Sequence, residues 1–222
     1  MRLIFIHGFL ERENIFDKIA PALEGEKIFI DLWSILEERP RHNLNVNGFA
    51  KELIEKFGII ESDVLIGHSL GGWIAYHIKS HVHCRIVLIS SFTDLNRIGS
   101  LLRNRRIVYG YVKWGLKILY PFRSLKKMFM ALNYNNVPIE LFSQGFDDII
   151  KKDNHANVIN QLKLIFEPVE KISVTPNLRI HAKRDLIVLP PNENYHEIPG
   201  NHFTIYEQPE TVIQALKFFL KN

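Results

Sequence analysis

Short, unbroken apolar runs alternate with segments of helical periodicity along this 222-residue chain, and this alternation constrains the fold more than any other feature. The runs include "RLIFIHGF", "EKIFIDLW", "DVLIGHS" and "CRIVLISSF". They are continuous and do not alternate between polar and apolar positions, which is typical of strands buried on both faces. The sequence therefore predicts an α/β fold with a mostly parallel sheet and helices on both of its faces.

The alternation stops at about residue 93 and resumes after about residue 170. The intervening segment has helical periodicity without strand-like runs. The sheet pattern returns with "LRIHAKRD" and "ENYHEIPGNHF", and a last helix is predicted to begin near Pro209. We expect one domain over residues 1–222, with a helical segment inserted at about 93–170.

Composition excludes several classes of protein. No apolar run approaches the roughly 18 residues that a membrane span needs. The N-terminal "MRLIFIHGF" leads directly into a predicted strand and has no small-residue cleavage site, so we interpret it as part of the fold. The single cysteine, Cys84, excludes an internal disulfide and is compatible with a reducing compartment. We expect a cytoplasmic protein.

Residues 67–71, Gly-His-Ser-Leu-Gly, follow an apolar run and precede a predicted helix. A strand that turns sharply into a helix holds its serine in a strained conformation, and flanking glycines avoid Cβ clashes with the neighbouring elements. The Ser69 hydroxyl is then exposed above the strand, and the Leu70 N–H can point at a developing oxyanion. The alternative is a turn with a helix-capping serine, but the strand–turn–helix context favours a nucleophile.

A serine hydroxyl needs a base, and the base needs an orienting carboxylate. His202 is the candidate base, because it lies in "IPGNHF" just after the last predicted strand. Asp185 is the candidate acid, because it directly follows the strand in "IHAKRDLIV". Alone, each could be an ordinary loop residue. Three such residues in the order Ser69, Asp185, His202, each at the end of a strand, favour a catalytic triad.

Other residues compete for these roles. Asp94 follows a predicted strand and is an alternative acid, whereas His196 lies inside the predicted strand "YHEI" and should pack against the sheet. Three further histidines lie on or after the helix that follows Ser69, and we interpret them as surface or strand-entry residues: His77, His81 and His83.

The second oxyanion donor is predicted in "HGF" at residues 7–9, at the end of the first strand. Gly8 lets the chain turn tightly, and the Phe9 N–H can then face the serine.

These motifs together resemble the α/β-hydrolase superfamily: "HGF", "GHSLGG", "AKRDLIV" and "PGNHF" occur in its order over nearly the whole chain. The resemblance implies that Ser69 is the nucleophile, His202 the general base and Asp185 its orienting acid, and that Phe9 and Leu70 donate to the oxyanion. It also implies that the segment at about 93–170 is a cap. Two departures are expected: no antiparallel strands before the first strand, and no helix between Asp185 and His202.

The predicted cap is strongly basic. Residues 95–139 contain nine basic side chains and no acidic one: Arg97, Arg103, Arg105, Arg106, Lys113, Lys117, Arg123, Lys126 and Lys127. Interleaved apolar residues, Trp114 among them, could roof an acyl pocket. The basic face is either solvated or binds an anionic partner, for which an acyl carrier protein, coenzyme A and a membrane surface are candidates. Nucleic acid is not expected, because no binding motif accompanies the charge.

A compact serine esterase with a basic cap resembles the pimeloyl-acyl-carrier-protein methyl ester esterases of biotin synthesis. That resemblance implies a carrier-bound acyl ester as substrate, with Arg103, Arg105, Arg106 and Trp114 as candidate binding residues. A triad needs neither a metal nor an organic cofactor. A thioesterase, a cofactor-free lyase and a non-catalytic ligand receptor on the same scaffold stay open as alternatives.

Overall fold

The computed structural model describes residues 1–36, 41–99, 104 and 154–221. Six strands form one sheet: β1 Arg2–Ile6, β2 Glu26–Ile30, β3 Val64–His68, β4 Arg85–Ile89, β5 Leu178–Ala182 and β6 His196–Ile198. Helices connect and cover them: α1 Leu32–Ile35, α2 Val46–Phe57, α3 Leu70–Lys79, α4 His155–Phe166, α5 Thr204–Glu207 and α6 Pro209–Lys221.

The strand order is β2-β1-β3-β4-β5-β6, and every neighbouring pair is parallel. The predicted α/β class is confirmed. Because all strands run in the same direction, the loops that follow β1, β3, β5 and β6 emerge at one edge of the sheet. These loops carry the predicted site residues, so the topology gathers segments that are far apart in sequence.

The buried strands contribute to two apolar layers, which explains why their sequences do not alternate. In β1, Leu3 and Phe5 pack into the layer that contains α6, whereas Ile4 and Ile6 pack into the layer that contains α2 and α3. All four side chains are at most 1% exposed. Burying each contributes roughly 1.5–3 kcal/mol.

Strand β2 departs from the prediction. It ends at Ile30, short of the predicted residue 33, and most of it is only half-buried. The reason is its position at the edge of the sheet, where one side has no neighbouring strand. Asp31 then accepts the Trp33 N–H at 3.0 Å and begins α1.

Helix α2 begins and ends as the sequence predicts. The Asn45 side chain accepts the Gly48 N–H at 2.9 Å at its start, and Gly58 ends the helix in the left-handed region at φ 55°. At the other end of the chain, no helix lies between Asp185 and β6, as expected, and the residues between them are irregular.

Most of the segment predicted as an insertion lies outside the described residues. Within it, α4 is helical as the periodicity indicates, and it packs beside α2 and α3. The single-domain organisation with a cap at about 93–170 stays a prediction. Among the described residues, no helix is both long and apolar enough to cross a membrane.

Candidate active site

Ser69 occupies the turn between β3 and α3, with φ 51° and ψ −118°. This left-handed conformation is uncommon outside glycine and marks a strained backbone. The Ser69 side chain makes no capping hydrogen bond to α3, although it stands at the N-cap position. The hydroxyl is therefore not a structural cap.

Two glycines permit the turn. A Cβ atom on Gly71 would collide with the main-chain oxygen of Ile6 in β1, and one on Gly67 would collide with the backbone of Gly71 and Gly72. Strand β1, strand β3 and the start of α3 thus approach more closely than any side chain allows. This close packing is the steric reason for the Gly-x-Ser-x-Gly spacing.

The structure brings Ser69, His202 and Asp185 into one chain of hydrogen bonds. Nε2 of His202 lies 3.0 Å from Oγ of Ser69, and Nδ1 of His202 lies 2.8 Å from Oδ2 of Asp185. All three residues are at most 8% exposed. The three positions predicted for nucleophile, base and acid therefore meet at the carboxyl edge of the sheet.

Asp185 lies in a loop of residues 183–189, which we call the acid loop. Its Oδ1 accepts the N–H groups of Ile187 and Val188, each at 2.9 Å, and Nε2 of His181 lies 3.3 Å from Oδ2. Burial acts to raise the pKa of the Asp185 carboxyl. The charge of the His202 ring and the hydrogen bonds from His181 and His202 outweigh burial and hold that pKa well below its usual range.

Residues 7–11 form the loop after β1, which we call the oxyanion loop. Gly8 donates its N–H to Oε2 of Glu11 at 2.6 Å, Leu10 donates to Oε1 of Gln161 at 3.0 Å, and Glu11 donates to the Gly8 oxygen at 3.3 Å. The Phe9 N–H, in contrast to these three, has no acceptor among the described residues. The Leu70 N–H, in the first turn of α3, likewise has none there.

Three buried amide side chains of α4 hold the oxyanion loop and the neighbouring α1. Gln161, which binds Leu10, also donates to Oδ1 of Asn157 at 2.9 Å, and Asn157 donates to the Trp33 oxygen at 2.7 Å. Asn160 donates to the main chain at the end of α1, at 3.2 Å. These amides were not predicted, because their spacing in "ANVINQLKLIF" is that of any amphipathic helix.

The competing residues lie elsewhere. Asp94 is exposed and accepts the Asn96 N–H at 2.9 Å, so it begins a short turn and does not orient the base. His196 lies in β6 as predicted, but the prediction that it packs against the sheet is wrong, because β6 is an edge strand and His196 is exposed.

His77 also differs from the prediction. His81 and His83 are exposed as expected, but His77 is fully buried. Its ring stands edge-on to Trp73 at a centroid distance of 4.3 Å, and neither of its nitrogens has a hydrogen-bond partner in the described part of the chain. Burial lowers the pKa of His77 to about 4, so it packs as a neutral aromatic ring.

A second buried cluster at the site was not predicted. Nδ1 of His68 lies 2.8 Å from Oε2 of Glu11, and Nε2 of His68 lies 3.0 Å from the main-chain oxygen of His202. Side-chain atoms of Glu11, His68 and His202 come within 4.8 Å of one another, and these residue types can bind a metal. The ring nitrogens of His68 and His202 and Oε2 of Glu11 already have hydrogen-bond partners in the protein. These hydrogen bonds account for the close approach of the three side chains. The signal in the sequence was a glutamate three residues after Gly8.

The candidate binding residues of the cap, Arg103, Arg105, Arg106 and Trp114, lie outside the described residues. Of the basic residues counted in that region, Arg97 is described. It donates to the Pro190 oxygen at 3.1 Å and so braces the chain that follows the acid loop.

Sequence and structure comparisons are consistent with this geometry. The sequence model of the alpha/beta hydrolase family matches residues 3–215. The chain belongs to the alpha/beta hydrolase family. The match runs from β1 into α6 and includes every member of the hydrogen-bonded chain at Ser69. No curated protein matches at a significant level.

Several solved alpha/beta hydrolase-like structures resemble the chain over its full length. A thermophilic esterase from Thermogutta terrifontis is 19% identical with a TM-score of 0.67, covering 100% of this chain and 89% of that one. The enol-lactonase from Burkholderia xenovorans LB400 is 15% identical with a TM-score of 0.69, covering 100% and 91%. MenH from S. aureus is 18% identical with a TM-score of 0.68, covering 100% and 93%. At these identities the likeness shows the shared fold, which hosts different activities.

Proposed function

We propose that this protein is a serine carboxylic-ester hydrolase in which Ser69, His202 and Asp185 form the catalytic triad. The observation that carries the proposal is the hydrogen-bond chain from Ser69 Oγ to Asp185 Oδ2. An ionised carboxylate only accepts hydrogen bonds, so Nδ1 of His202 carries the proton. Nε2 is then left to accept from the Ser69 hydroxyl, which is the tautomer that a general base needs.

The proposed reaction proceeds through an acyl-enzyme. Ser69 Oγ attacks the ester carbonyl carbon while its proton passes to Nε2 of His202. The imidazolium then protonates the departing alkoxide, leaving acyl-Ser69. His202 next takes a proton from water, the resulting hydroxide attacks the acyl carbon, and the acid leaves as Ser69 regains its proton. The N–H groups of Phe9 and Leu70 donate to the oxyanion in both tetrahedral intermediates.

The substrate that we propose is a carrier-bound acyl methyl ester. Support comes from the sequence, because residues 95–139 combine nine basic side chains with interleaved apolar residues and carry no acid. Basic side chains would attract an acidic carrier protein, and apolar side chains are suited to contact an acyl chain. A cytoplasmic location fits this substrate and stays a prediction.

The nucleophile is tested by intact-protein mass spectrometry after treatment with a fluorophosphonate. We expect one adduct on the wild type and on Ser34→Ala, which removes an exposed serine hydroxyl, and none on Ser69→Ala. With an aryl ester, Ser69→Ala should lower kcat by about 10⁴- to 10⁶-fold. A folded wild type without an adduct, or an adduct retained by Ser69→Ala, contradicts the proposal.

The same preparations then test the substrate with free and carrier-bound methyl esters. Combined replacement of Arg103, Arg105 and Arg106 by alanine should slow hydrolysis of the carrier-bound ester and leave small aryl esters unaffected. Equal loss on both substrates contradicts the carrier part of the proposal and leaves the esterase part standing.

A further inference from the structure

The buried pair of His68 and Glu11 has no role in the reaction described above. The His68 side chain is 0% exposed and the Glu11 side chain 12% exposed, and they lie 2.8 Å apart. Removing two ionisable groups from water is costly unless they are paired and hydrogen-bonded. Their pairing directly beside Ser69 therefore needs an explanation in the site itself.

The geometry specifies the protonation state of His68. One ring nitrogen faces the Glu11 carboxylate and the other faces the main-chain oxygen of His202, and both of these groups accept hydrogen bonds. The ring can donate to both only as an imidazolium. The charged and titratable groups that act on it are Glu11 from the oxyanion loop, His202 from the loop after β6, and Asp185 from the acid loop.

Electrostatics agree with this state. Burial acts to lower the pKa of His68, but the charge of Glu11 and its hydrogen bond outweigh burial and raise that pKa. Burial also acts to raise the pKa of Glu11, while the charge of His68 and its hydrogen bond hold that pKa below its usual range. Both shifts therefore favour the ion pair that the hydrogen-bond geometry specifies.

Glu11 extends this contact to the oxyanion loop. The same Oε2 atom that faces His68 also accepts the Gly8 N–H at 2.6 Å. A Cβ atom on Gly8 would lie 2.6 Å from that oxygen, so only glycine lets the carboxylate lie this close to the backbone. A continuous chain of contacts thus runs from Gly8, which precedes the proposed donor Phe9, to the main chain of His202.

We propose that Glu11 and His68 are positioning residues, whose buried ion pair holds the oxyanion loop and the main chain of His202 in fixed relation on either side of Ser69. The inference rests on the proposed function. Without the Glu11 charge, a neutral His68 can donate only one of its two hydrogen bonds. Either the oxyanion loop or His202 is then released, and a shift of about 1 Å in a catalytic group lowers the rate by roughly 10²-fold.

The test compares Glu11→Gln with Glu13→Gln, which removes an exposed charge from the turn that follows the same loop. Active sites are titrated with a fluorophosphonate, so that kcat is expressed per functional serine and any unfolded fraction is excluded. For Glu11→Gln we expect kcat on an aryl ester to fall by about 10²-fold with KM within about threefold. Glu13→Gln should match the wild type.

Nitrogen-15 NMR of the histidine side chains supplies a second readout, which is independent of kcat and is made on the wild type as well as on the variants. Comparison with His68→Gln assigns the His68 signals, and we expect both ring nitrogens of the wild type to be protonated at pH 7. In Glu11→Gln one of them should lose its proton. His83→Gln, at an exposed histidine, is the control for the assignment.

The outcomes are distinguishable. A neutral His68 in the wild type, or an unchanged kcat in Glu11→Gln, overturns the positioning role and leaves the proposed esterase intact. A folded wild type that neither reacts with the fluorophosphonate nor hydrolyses any ester overturns both proposals.

Discussion

The acid loop and the oxyanion loop flank the proposed nucleophile, but different kinds of contact hold them. Main-chain groups fix the acid loop: Gly99 donates to the Ile187 oxygen at 2.9 Å, and Leu189 donates to the Arg97 oxygen at 2.7 Å. The Asp185 carboxylate itself accepts main-chain N–H groups from two and three residues further on. The acid loop is thus held largely through main-chain groups, with two side chains added: Asp185 itself and His181, whose Nε2 lies 2.9 Å from the Val188 oxygen.

Side chains fix the oxyanion loop. Glu11 holds Gly8, and Gln161 reaches from α4 to hold Leu10, which is in the left-handed region at φ 61°. The ring of His7 donates to the Gly8 oxygen at 2.9 Å through Nδ1, while its Nε2 accepts a main-chain N–H from α1. Each of these contacts requires a particular side chain, and Gln161 supplies its contact from a position far away in the sequence.

This difference has a functional consequence. Main-chain hydrogen bonds tolerate substitution of the side chains around them, whereas a side-chain hydrogen bond disappears with its residue and can leave a buried group unpaired. In the acid loop, Asp185, which contacts the proposed base, should have the strongest effect on the reaction. In the oxyanion loop, residues remote from the reacting atoms should also affect it.

The largest effect is expected at the acid. Asp185→Asn keeps the size of the side chain but removes the charge that stabilises the His202 imidazolium and the acceptor that selects its tautomer. We expect kcat to fall by about 10⁴-fold on an aryl ester, measured per titrated serine.

Asp94→Asn is the matched control, because Asp94 is the competing acid by sequence and is exposed. It should leave kcat within about threefold of the wild type. A large loss from Asp94→Asn together with a small one from Asp185→Asn would reverse the assignment of the acid.

The contrast between main-chain and side-chain contacts also explains how much of the structure can be predicted from the sequence. The sheet, the helix from residue 46 and the Gly-x-Ser-x-Gly turn follow from local patterns: unbroken apolar runs, periodicity and glycine spacing. Ser69, Asp185 and His202 could be predicted because each directly follows a strand, and parallel strands end at one edge. Their meeting within hydrogen-bond distance is a consequence of topology.

The contacts that hold the oxyanion loop could not be predicted in this way. Gln161 lies 151 residues from Leu10, and His68 lies 57 residues from Glu11. No local pattern distinguishes such residues from ordinary polar positions. His77 illustrates the same limit of local patterns: a histidine on a helix is expected at the surface, and only packing against Trp73 shows that it is buried.

An intermediate effect is expected from Gln161→Ala. The substitution leaves the Leu10 N–H without an acceptor in a partly buried position and removes the hydrogen bond to Asn157. We expect the free energy of unfolding to fall by about 1–3 kcal/mol. Release of the oxyanion loop should lower kcat by about 10-fold with little change in KM.

Gln214→Ala is the control, because Gln214 is an exposed residue on α6, remote from the site. Gln214→Ala should leave the free energy of unfolding, measured in urea, and kcat for ester hydrolysis unchanged. A loss of stability in Gln161→Ala without any change in kcat would show that α4 supports the fold but does not position the oxyanion loop.

The smallest effect expected is a pH dependence of the free energy of unfolding. It should have opposite signs for Asp185 in the acid loop and for His68 beside the oxyanion loop. The pKa of Asp185 is below its usual 3.8 in the folded protein, because the His202 ring outweighs the opposing effect of burial. Its stabilising contribution is therefore present above about pH 4 and is lost as pH falls through the lowered value. The pKa of His68 is above its usual 6.5, because Glu11 outweighs burial. Its contribution is present below pH 6.5 and is lost as pH rises through the raised value.

Urea unfolding between pH 5 and pH 9 separates these contributions. The excess stability of the wild type over His68→Gln should shrink towards pH 9 by an amount on the order of 1 kcal/mol, because a tenfold change in a protonation equilibrium corresponds to about 1.4 kcal/mol. Titration of the Asp185 carboxyl itself should not contribute to the pH dependence in this range, because Asp185 is ionised throughout it in both the folded and the unfolded state. If instead the difference from His68→Gln grows with pH, His68 is neutral in the folded protein. The Glu11 carboxylate would then face a neutral ring, and a hydrogen bond without an ion pair would hold the oxyanion loop.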